Sequence, residues 1–342
     1  MTDTGLPATA LALARVFSAG GRLIVSAEGR PDHARHVAVE FVHPAITGAR
    51  SLPSIAVAPE DIHHVVRPHD ALLVLESAEW PFERPVPENA QLLIVGRQQT
   101  EPELVRWYHV LWELVQIGLE HPGLTGGAAS LGGDSTNFLY PFLDATEDDE
   151  PALLASMAES AVSKQAESNE LATQTLAANA AAIEAVVAQI RSCLSSGRSI
   201  FVIGNGGSAC DAGRLARLLQ GSGAQTRSLA DDPAILTALA NDLGVDKIFS
   251  RQVEASARPG DVLVIFSTSG ASRNLLSVLD LSLASELIIV ACAGYGGGPL
   301  VAHHQVDHKL VVDSPSVHRV QEAQGFLIDE ICTQLAPSAV HA

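Results

Sequence analysis

The sequence predicts two α/β domains in tandem, each a doubly wound parallel sheet in a flavodoxin-like three-layer sandwich, with the first domain shortened. A length of 342 residues exceeds what one hydrophobic core usually serves, which favours two domains. In the second half, short apolar runs such as SIFVIG, DVLVIFS and ELIIVACAG alternate with helical segments. Short apolar strands separated by helices are typical of a parallel sheet covered on both faces.

The first half repeats motifs of the second half in the same order. FSAGGRLIVSAEGRP aligns with LSSGRSIFVIGNGGS, and RPHDALLVLESAE aligns with RPGDVLVIFSTSG. Pairing Val25 with Ile203 gives an offset of 178, and pairing Asp70 with Asp261 gives 191, so the first copy lacks 13 residues between these points. A tandem duplication with one shortened connection explains the pattern better than chance similarity of two α/β sequences.

Composition shifts along the chain predict the domain boundaries. Residues 1–121 form the first domain, and the glycine-rich and then acidic stretch 122–150 (GLTGGAASLGGDST, ATEDDE) is expected to be the linker. The second domain, 151–342, opens with an Ala-rich stretch from Pro151 to Ser196 that has apolar residues at helical spacing. This stretch predicts two long amphipathic helices.

Charge and cysteine content exclude several classes of function. With 21 Lys and Arg against 39 Asp and Glu, the net charge is −18, which repels nucleic acid and anionic membranes. The four cysteines show no CxxC spacing, the start lacks the basic region of a secretion signal, and no apolar run nears about 20 residues. We therefore expect a cytoplasmic protein with reduced thiols, without nucleic-acid or membrane partners.

Two loops have the composition of a phosphate-binding site. Each follows an apolar strand and precedes a helix, where exposed N–H groups favour an anion. Either loop alone is equally well explained as a tight turn with a helix cap, whereas the two together favour a phosphomonoester site. Their candidate ligands are Asn205, Gly206, Gly207 and Ser208 in the first loop and Ser267, Thr268, Ser269 and Ser272 in the second.

The second half resembles the sugar isomerase (SIS) fold, and specifically the phosphoheptose (sedoheptulose 7-phosphate) isomerases. The likeness rests on IGNGGSACDA, LTALANDLGVDKIFSRQVEA, RPGDVLVIFSTSGAS and RVQEAQ, over about residues 155 to 336. It implies that the serines and Thr268 hold a sugar phosphate, with Asn205 nearby and Gln321 as a further substrate contact. Asn241 and Asp242 match an Asn-Asp pair of the family, which either orients sugar hydroxyls or caps a turn.

The second half departs from this family at the residues that carry its chemistry. There the family has a His and a Glu four residues apart on the helix after the first loop, and a Gln and a His eight apart on the last helix. The corresponding residues here are Arg214, Leu218, Gln321 and Asp329. Leucine neither takes a proton nor binds a metal, so the second domain alone is not expected to isomerise a sugar.

The resemblance extends to the first half, where all four positions carry functional side chains: His36, Glu40, Glu101 and His109. The ordinary explanations are a surface His–Glu pair for the first two, a core histidine for His109 and a helix cap for Glu101. Conversely, the loops of this half contain Glu28, Glu76 and Glu79, which repel phosphate. One half keeps the phosphate loops and the other keeps the acid–base residues.

These observations lead to the hypothesis of a phosphosugar aldose–ketose isomerase whose site is split between the two domains. Glu40 is the expected base, and His109 is either the acid or, with His36, Glu40 and Glu101, a ligand of zinc; no nucleotide cofactor is expected. The resemblance also implies that a homodimer of this chain forms a pseudo-tetramer. Two alternatives stay open: a non-catalytic sugar-phosphate sensor or scaffold, and an isomerase that uses another base.

Overall fold

The computed structural model describes residues 5–44, 49–75, 90–95, 100–126 and 149–336. Two compact units divide the chain, Met1–Glu167 (unit 1) and Ser168–Ala342 (unit 2). Most of the predicted linker, 127–148, lies outside the described residues, while its first residues form a short helix, Pro122–Thr125. The boundary between the units differs from the predicted one, because residues up to Glu167 belong to unit 1.

Unit 1 is a parallel sheet with helices on both faces. Its four strands lie in the order β2-β1-β3-β4, and every pair is parallel. Alternate residues of β1 enter different cores, because Leu23 and Val25 pack on one face and Ile24 on the other. The elements, in chain order, are α1 (Leu6–Ser18), β1 (Leu23–Ala27), α2 (Pro31–Val42), β2 (Ser54–Ala56), α3 (Ile62–Val65), β3 (Ala71–Leu75), β4 (Gln91–Val95), α4 (Glu101–Leu119) and α5 (Pro122–Thr125).

A single helix, α6 (Glu150–Ser195), follows in place of the two predicted helices. Its early residues Leu153 and Met157 lie in the core of unit 1, and Ile183 and Val187 lie in a core of unit 2. By length and composition it is the one helix of the described residues that is apolar enough to cross a membrane. Core helices of soluble proteins pass the same test, and 33% of the apolar window of α6 is buried in this structure.

Unit 2 has the same architecture with one more strand. Its sheet order is β6-β5-β7-β8-β9, again parallel throughout, with a core on each face. The doubly wound α/β prediction is thus confirmed for both units. The elements are β5 (Ile200–Ile203), α7 (Gly207–Gly221), β6 (Thr226–Ser228), α8 (Pro233–Leu243), α9 (Ser250–Ser256), β7 (Val262–Ser267), α10 (Arg273–Leu279), β8 (Ile288–Ala293), α11 (Gly298–Ala302), β9 (His308–Val311) and α12 (Val317–Leu335).

Each unit has the same kind of anchoring contact at the start of a central strand of its own sheet. Asp70, just before β3, accepts hydrogen bonds from the backbone N–H groups of Arg22 and Arg67, at 3.0 and 2.9 Å. Asp261, just before β7, accepts equivalent bonds from Ser199 and Arg258, at 3.0 and 2.8 Å. The pairing of Asp70 with Asp261 in the predicted repeat is therefore structurally equivalent.

The register of the strands shows that the predicted alignment of the repeat is displaced by one residue at β1. Val25 pairs with Leu73 on β3, and the equivalent partner of Val264 on β7 is Val202, not Ile203. The shortened connection lies between β2 and β3, where unit 1 has a helical turn at Pro59–Asp61 and the short helix α3. Unit 2 has α8 and α9 in this connection.

Candidate active site

The first predicted phosphate loop joins β5 to α7, and glycine is required at two of its positions. A Cβ on Gly204 would lie 2.3 Å from the backbone oxygen of Ser208, and Gly206 has φ 54° and ψ −125°. The turn therefore leads directly into the N-terminus of α7, whose first N–H groups have no partner within the helix. Ser208 is buried in this first turn, and Asn205 is exposed before it.

The second loop, Ser267–Ser272, follows β7, which is the neighbour of β5 in the sheet. Ser267 Oγ accepts a hydrogen bond from Gly270 N at 2.9 Å, and Ser269 Oγ accepts one from Ala271 N at 3.3 Å. Gly270 has φ 63°, and a Cβ there would lie 2.0 Å from Gly297 O. Ser272 precedes α10 and does not cap it with its hydroxyl. The loop is thus held by its own hydroxyls and by close backbone packing.

A reciprocal amide pair connects the two loop regions of unit 2. Asn205 Nδ2 donates to Asn274 Oδ1 at 2.9 Å, and Asn274 Nδ2 donates to Asn205 Oδ1 at 2.8 Å. Gln324 on α12 donates from Nε2 to the backbone oxygens of Ser267 and Cys292, at 3.2 and 3.1 Å. Asn274 and Gln324 were missed by the sequence analysis. Both positions carry amides beside the loops, but only their tertiary contacts reveal the role.

The other predicted substrate residues of unit 2 have different environments. Gln321 is buried on α12, and its Oε1 has no hydrogen-bond partner among the described residues. Asn241 and Asp242 are exposed at the end of α8, where Asn241 Nδ2 donates to Asp242 Oδ1 at 2.8 Å. Neither has a hydrogen bond to the two loops in the described part of the chain.

Unit 2 has an ion pair where the resemblance implies catalytic side chains. Arg214 on α7 is 1% exposed by residue and forms a salt bridge and hydrogen bond with Asp329 on α12. Arg214 also lies 3.5 Å from the backbone oxygen of Gly325. The two positions thus stabilise the packing of α7 on α12. The expectation that this unit lacks the family's acid–base set agrees with this arrangement.

In unit 1, three of the four predicted residues meet in the interior. One ligand atom from each of His36, Glu40 and His109 lies within 4.8 Å of the other two, and all three residues are buried. His36 Nε2 is 3.4 Å from His109 Nε2 and 3.6 Å from Glu40 Oε1. The surface-pair explanation for His36 and Glu40 is therefore wrong.

Tyr108 fixes the orientation of His36. Its Oη lies 2.8 Å from His36 Nδ1, and its ring packs edge-on against His36 and His109, with centroids 5.1 Å apart in each case. If Nδ1 donates to Tyr108 Oη, Nε2 keeps a free lone pair that faces Glu40 and His109. The sequence carries no signal for this role of Tyr108, because an aromatic residue beside a histidine is ordinary in a core helix.

Glu101 does not join these three residues, which corrects its predicted position. It belongs instead to a second group with Asp32 and His33, whose ligand atoms also lie within 4.8 Å of one another. It is not the helix cap either, because Thr100 and Glu103 form the capping box of α4. Asp32 and His33 lie about one helical turn before His36, and this spacing is the signal that could have identified them.

The phosphate-repelling residues of unit 1 are described only in part. Glu28 is exposed after β1, whereas Glu76 and Glu79 lie outside the described residues. The two units therefore carry different side chains. Unit 2 has the glycine and serine loops and a buried ion pair, and unit 1 has two groups of histidines and carboxylates. Either group in unit 1 has the donor types that hold a divalent metal ion.

Comparison with known proteins places the likeness mainly in unit 2. Residues 165–294 match the family model of the SIS domain. A phosphoheptose isomerase of Campylobacter concisus (strain 13826) is 37% identical over 156 residues, which cover 44% of this chain and 82% of that protein. One of Streptomyces coelicolor is 40% identical over 150 residues, covering 42% of this chain and 64% of that protein.

Solved structures agree with this result. The phosphoheptose isomerase of Neisseria gonorrhoeae superposes with a TM-score of 0.50 at 32% identity, covering 52% of this chain and 97% of its own. The C-terminal domain of glucosamine-fructose-6-phosphate aminotransferase from Francisella tularensis has a TM-score of 0.60 at 11% identity and covers 97% of this chain, which shows a shared fold. The sequence identity and its coverage of the relatives show that the chain belongs to the phosphoheptose isomerase family of SIS-domain proteins.

Proposed function

We propose that the protein is a phosphosugar aldose–ketose isomerase, related in substrate to sedoheptulose 7-phosphate isomerase, in which the two units divide the work. Unit 2 binds the phosphate through Gly206–Ser208 and Ser267–Ser272. Unit 1 supplies the acid–base residues. The proposal requires the two half-sites to meet in the assembled protein, within one chain or through a second copy.

One observation carries this proposal: the helix after the first strand of each unit contributes to a different buried group. His36 and Glu40 on α2 meet His109 in a buried group, whereas Arg214 on α7 forms an ion pair with Asp329. A histidine–carboxylate group buried in an apolar core costs stability unless it is paired, so its retention in one unit alone favours a functional role. Three matching side chains are hard to explain by packing.

The reaction moves a proton between adjacent carbons of an open-chain sugar through an enediol. The Glu40 carboxylate removes the proton from the carbon next to the carbonyl group and returns it to the former carbonyl carbon. His109 donates a proton to the carbonyl oxygen as the enediol forms. It then accepts the proton of the neighbouring hydroxyl group as that group becomes the new carbonyl group. Tyr108 keeps His36 oriented toward both residues through its contact at 2.8 Å.

The residues of this group also fit zinc. Two imidazole nitrogens and one carboxylate oxygen, buried and within 4.8 Å of one another, match the three protein ligands of a catalytic zinc site. As the alternative to acid catalysis by His109, the three residues His36, Glu40 and His109 would hold the ion, and a bound Zn²⁺ would polarise the substrate oxygen as a Lewis acid. Tyr108 would then accept the Nδ1 proton of His36 as an outer-sphere partner.

Replacing Glu40→Gln tests the base. We expect turnover of the preferred ketose phosphate to fall about 10²–10⁴-fold while phosphosugar binding to unit 2 is retained. Glu60→Gln, an exposed carboxylate of unit 1, is the matched control and should keep wild-type turnover. A panel that includes sedoheptulose 7-phosphate separates the alternatives. Unchanged turnover in Glu40→Gln means that another base acts, and binding without turnover in the wild type means a sensor.

Mixing two inactive variants tests the division between units. Glu40→Gln removes the base in unit 1, and Ser269→Asp adds a charge that repels phosphate in unit 2. Both single variants should be inactive if each unit supplies half of the site. Activity regained on mixing the two indicates half-sites from different copies, and no recovery indicates half-sites from one chain. An active Ser269→Asp variant would contradict the role of this loop.

Assembly and cellular location follow from the same proposal. We expect a homodimer that forms a pseudo-tetramer of four SIS-type units, measured as twice the chain mass by light scattering. We expect a cytoplasmic protein, because its four cysteines are free and a reducing compartment keeps thiols in that state.

A further inference from the structure

Beside the group proposed to act on the substrate, unit 1 contains a second set of side chains of the types that ligate metals. Asp32 and His33 lie in the first turn of α2, and Glu101 begins α4. Asp32 is 6% exposed and His33 is 2% exposed, and the Glu101 side chain is 12% exposed. We propose that Asp32, His33 and Glu101 bind a second divalent transition-metal ion, distinct from the one that His36, Glu40 and His109 would hold.

The distances in this second group fit metal coordination. Zinc holds nitrogen and oxygen ligands at about 2.0–2.2 Å, so two ligands at the tetrahedral angle lie about 3.4 Å apart. His33 Nε2 is 3.4 Å from Glu101 Oε2 and 3.9 Å from Asp32 Oδ2. The contacts in the first group, 3.4 and 3.6 Å, have the same size. Two of the three distances in each group therefore suit an ion of this radius, and the third is below 4.8 Å.

Two ion pairs elsewhere in unit 1 are shorter. Arg22 contacts Asp70 at 2.6 Å, and Lys164 contacts Glu113 at 2.7 Å, although these side chains are also largely buried. Hydrogen bonds between charged groups usually close to about 2.7–2.9 Å. The donor atoms around His33 stay about 0.5 Å or more beyond that range. This separation leaves room for a cation between the side chains.

Arg30 supports this interpretation from outside the group. Its Nη1 lies 3.6 Å from Glu101 Oε1, while the other carboxylate oxygen, Oε2, is directed to His33. Metal-binding carboxylates usually have such an outer partner, which orients the ligand oxygen. Imidazole and carboxylate donors together suit ions of the series from Mn²⁺ to Zn²⁺. The two ions would lie about one turn of α2 apart, because His33 and His36 are three residues apart.

Zinc stoichiometry tests the second site without substrate. Protein is dialysed against buffered Zn²⁺ and the bound metal is measured by mass spectrometry. We expect Asp32→Asn and Glu101→Gln each to bind one ion fewer than wild type, and Asp32→Asn with Glu40→Gln to bind two fewer. Glu60→Gln should match wild type. Tryptophan fluorescence verifies folding, because Trp107 and Trp112 lie in α4 of unit 1. Wild-type stoichiometry in the two single variants overturns the proposal.

A second measurement uses the wild-type chain, so it does not depend on a variant that folds. Zinc should shift the side-chain ¹⁵N resonance of His33 Nε2 as well as those of His36 and His109; a His33 resonance that does not move overturns the second site. The result is separable from the isomerase proposal. A protein that isomerises phosphosugars with His33 unshifted keeps the first proposal, and one that binds at both groups without turnover keeps the second.

Discussion

Removing the partners of the Arg214–Asp329 ion pair one at a time should reveal an asymmetry in the stability of unit 2. The Arg214 side chain is 2% exposed, whereas the Asp329 side chain is 32% exposed. Asp329→Asn removes a carboxylate partner of a buried guanidinium. Arg214→Met leaves a carboxylate that already reaches water. Removing one partner of a buried pair costs mainly because the other charge stays behind in the protein.

The magnitude follows from these exposures. Leaving a charge fully buried costs about 3–5 kcal/mol, so we expect this loss for Asp329→Asn. For Arg214→Met we expect about 1–2 kcal/mol, because water solvates the remaining carboxylate. The double substitution should be more stable than Asp329→Asn alone, since it removes the buried charge. With an m-value of about 2 kcal/mol per molar urea, the single variants should differ by about 1 M in midpoint.

The chain has a separate reporter for each unit. Cys292 in β8 is fully buried, and burial, together with the nearby Asp211 carboxylate, raises the pKa of its thiol, against a hydrogen bond from Gln324 that lowers it. Pulsed alkylation of Cys292 in urea therefore measures the opening of unit 2. All three tryptophans precede residue 168, so tryptophan fluorescence reports unit 1 and should keep its wild-type midpoint. Equal losses of unfolding free energy in Arg214→Met and Asp329→Asn, or additive losses in the double variant, would contradict this prediction.

Two further predictions concern single residues. Burial would raise the pKa of Asp70, but hydrogen bonds from the Arg22 side chain and from the Arg67 and Arg22 backbones, with the Arg22 charge, lower it overall. The contribution of the Asp70 carboxylate to the free energy of unfolding of unit 1 is therefore complete above the ordinary Asp pKa, near 4. It is lost as pH falls through the lower pKa of the folded state. Asp70→Asn should destabilise unit 1 by about 2 kcal/mol at pH 7 and progressively less below pH of about 4, measured by urea midpoints of tryptophan fluorescence; a pH-independent difference contradicts this. Gly270→Ala should weaken phosphosugar binding at least about tenfold, because its Cβ would meet Gly297 O at 2.0 Å. Gly223→Ala, at φ 85° with nothing within 4 Å, carries the backbone strain alone and should bind as wild type in calorimetry.

Local patterns were sufficient to predict the architecture but not its exact register. Both sheets are buried on two faces, so β5 is apolar at every position, and neither Val202 nor Ile203 shows the alternation that fixes a register. For the same reason the repeat was displaced by one residue at Val25. The continuous helix α6 was divided in the prediction because 46 residues is far above the usual length of a helix, although no glycine or proline interrupts it after Pro151.

The candidate sites follow the same distinction between local and distant contacts. The spacing of His36 and Glu40 on one helix predicted their contact, and the repeat added His109 from a distant part of the chain. Glu101 was assigned to the wrong group because the assignment rested on its position eight residues before His109. Its carboxylate lies beside His33, which is about one turn from His36 on the same helix. No sequence signal separates these partners. The choice depends on how the first turn of α4 packs against α2.

The ion pair in unit 2 also bears on evolution. Placing histidines at these two positions takes two changes, at Arg214 and at Asp329. The variant with only the second change keeps the positive charge of a side chain that is 2% exposed. The order of the two changes therefore matters for folding, because the variant that loses the carboxylate first retains the buried charge.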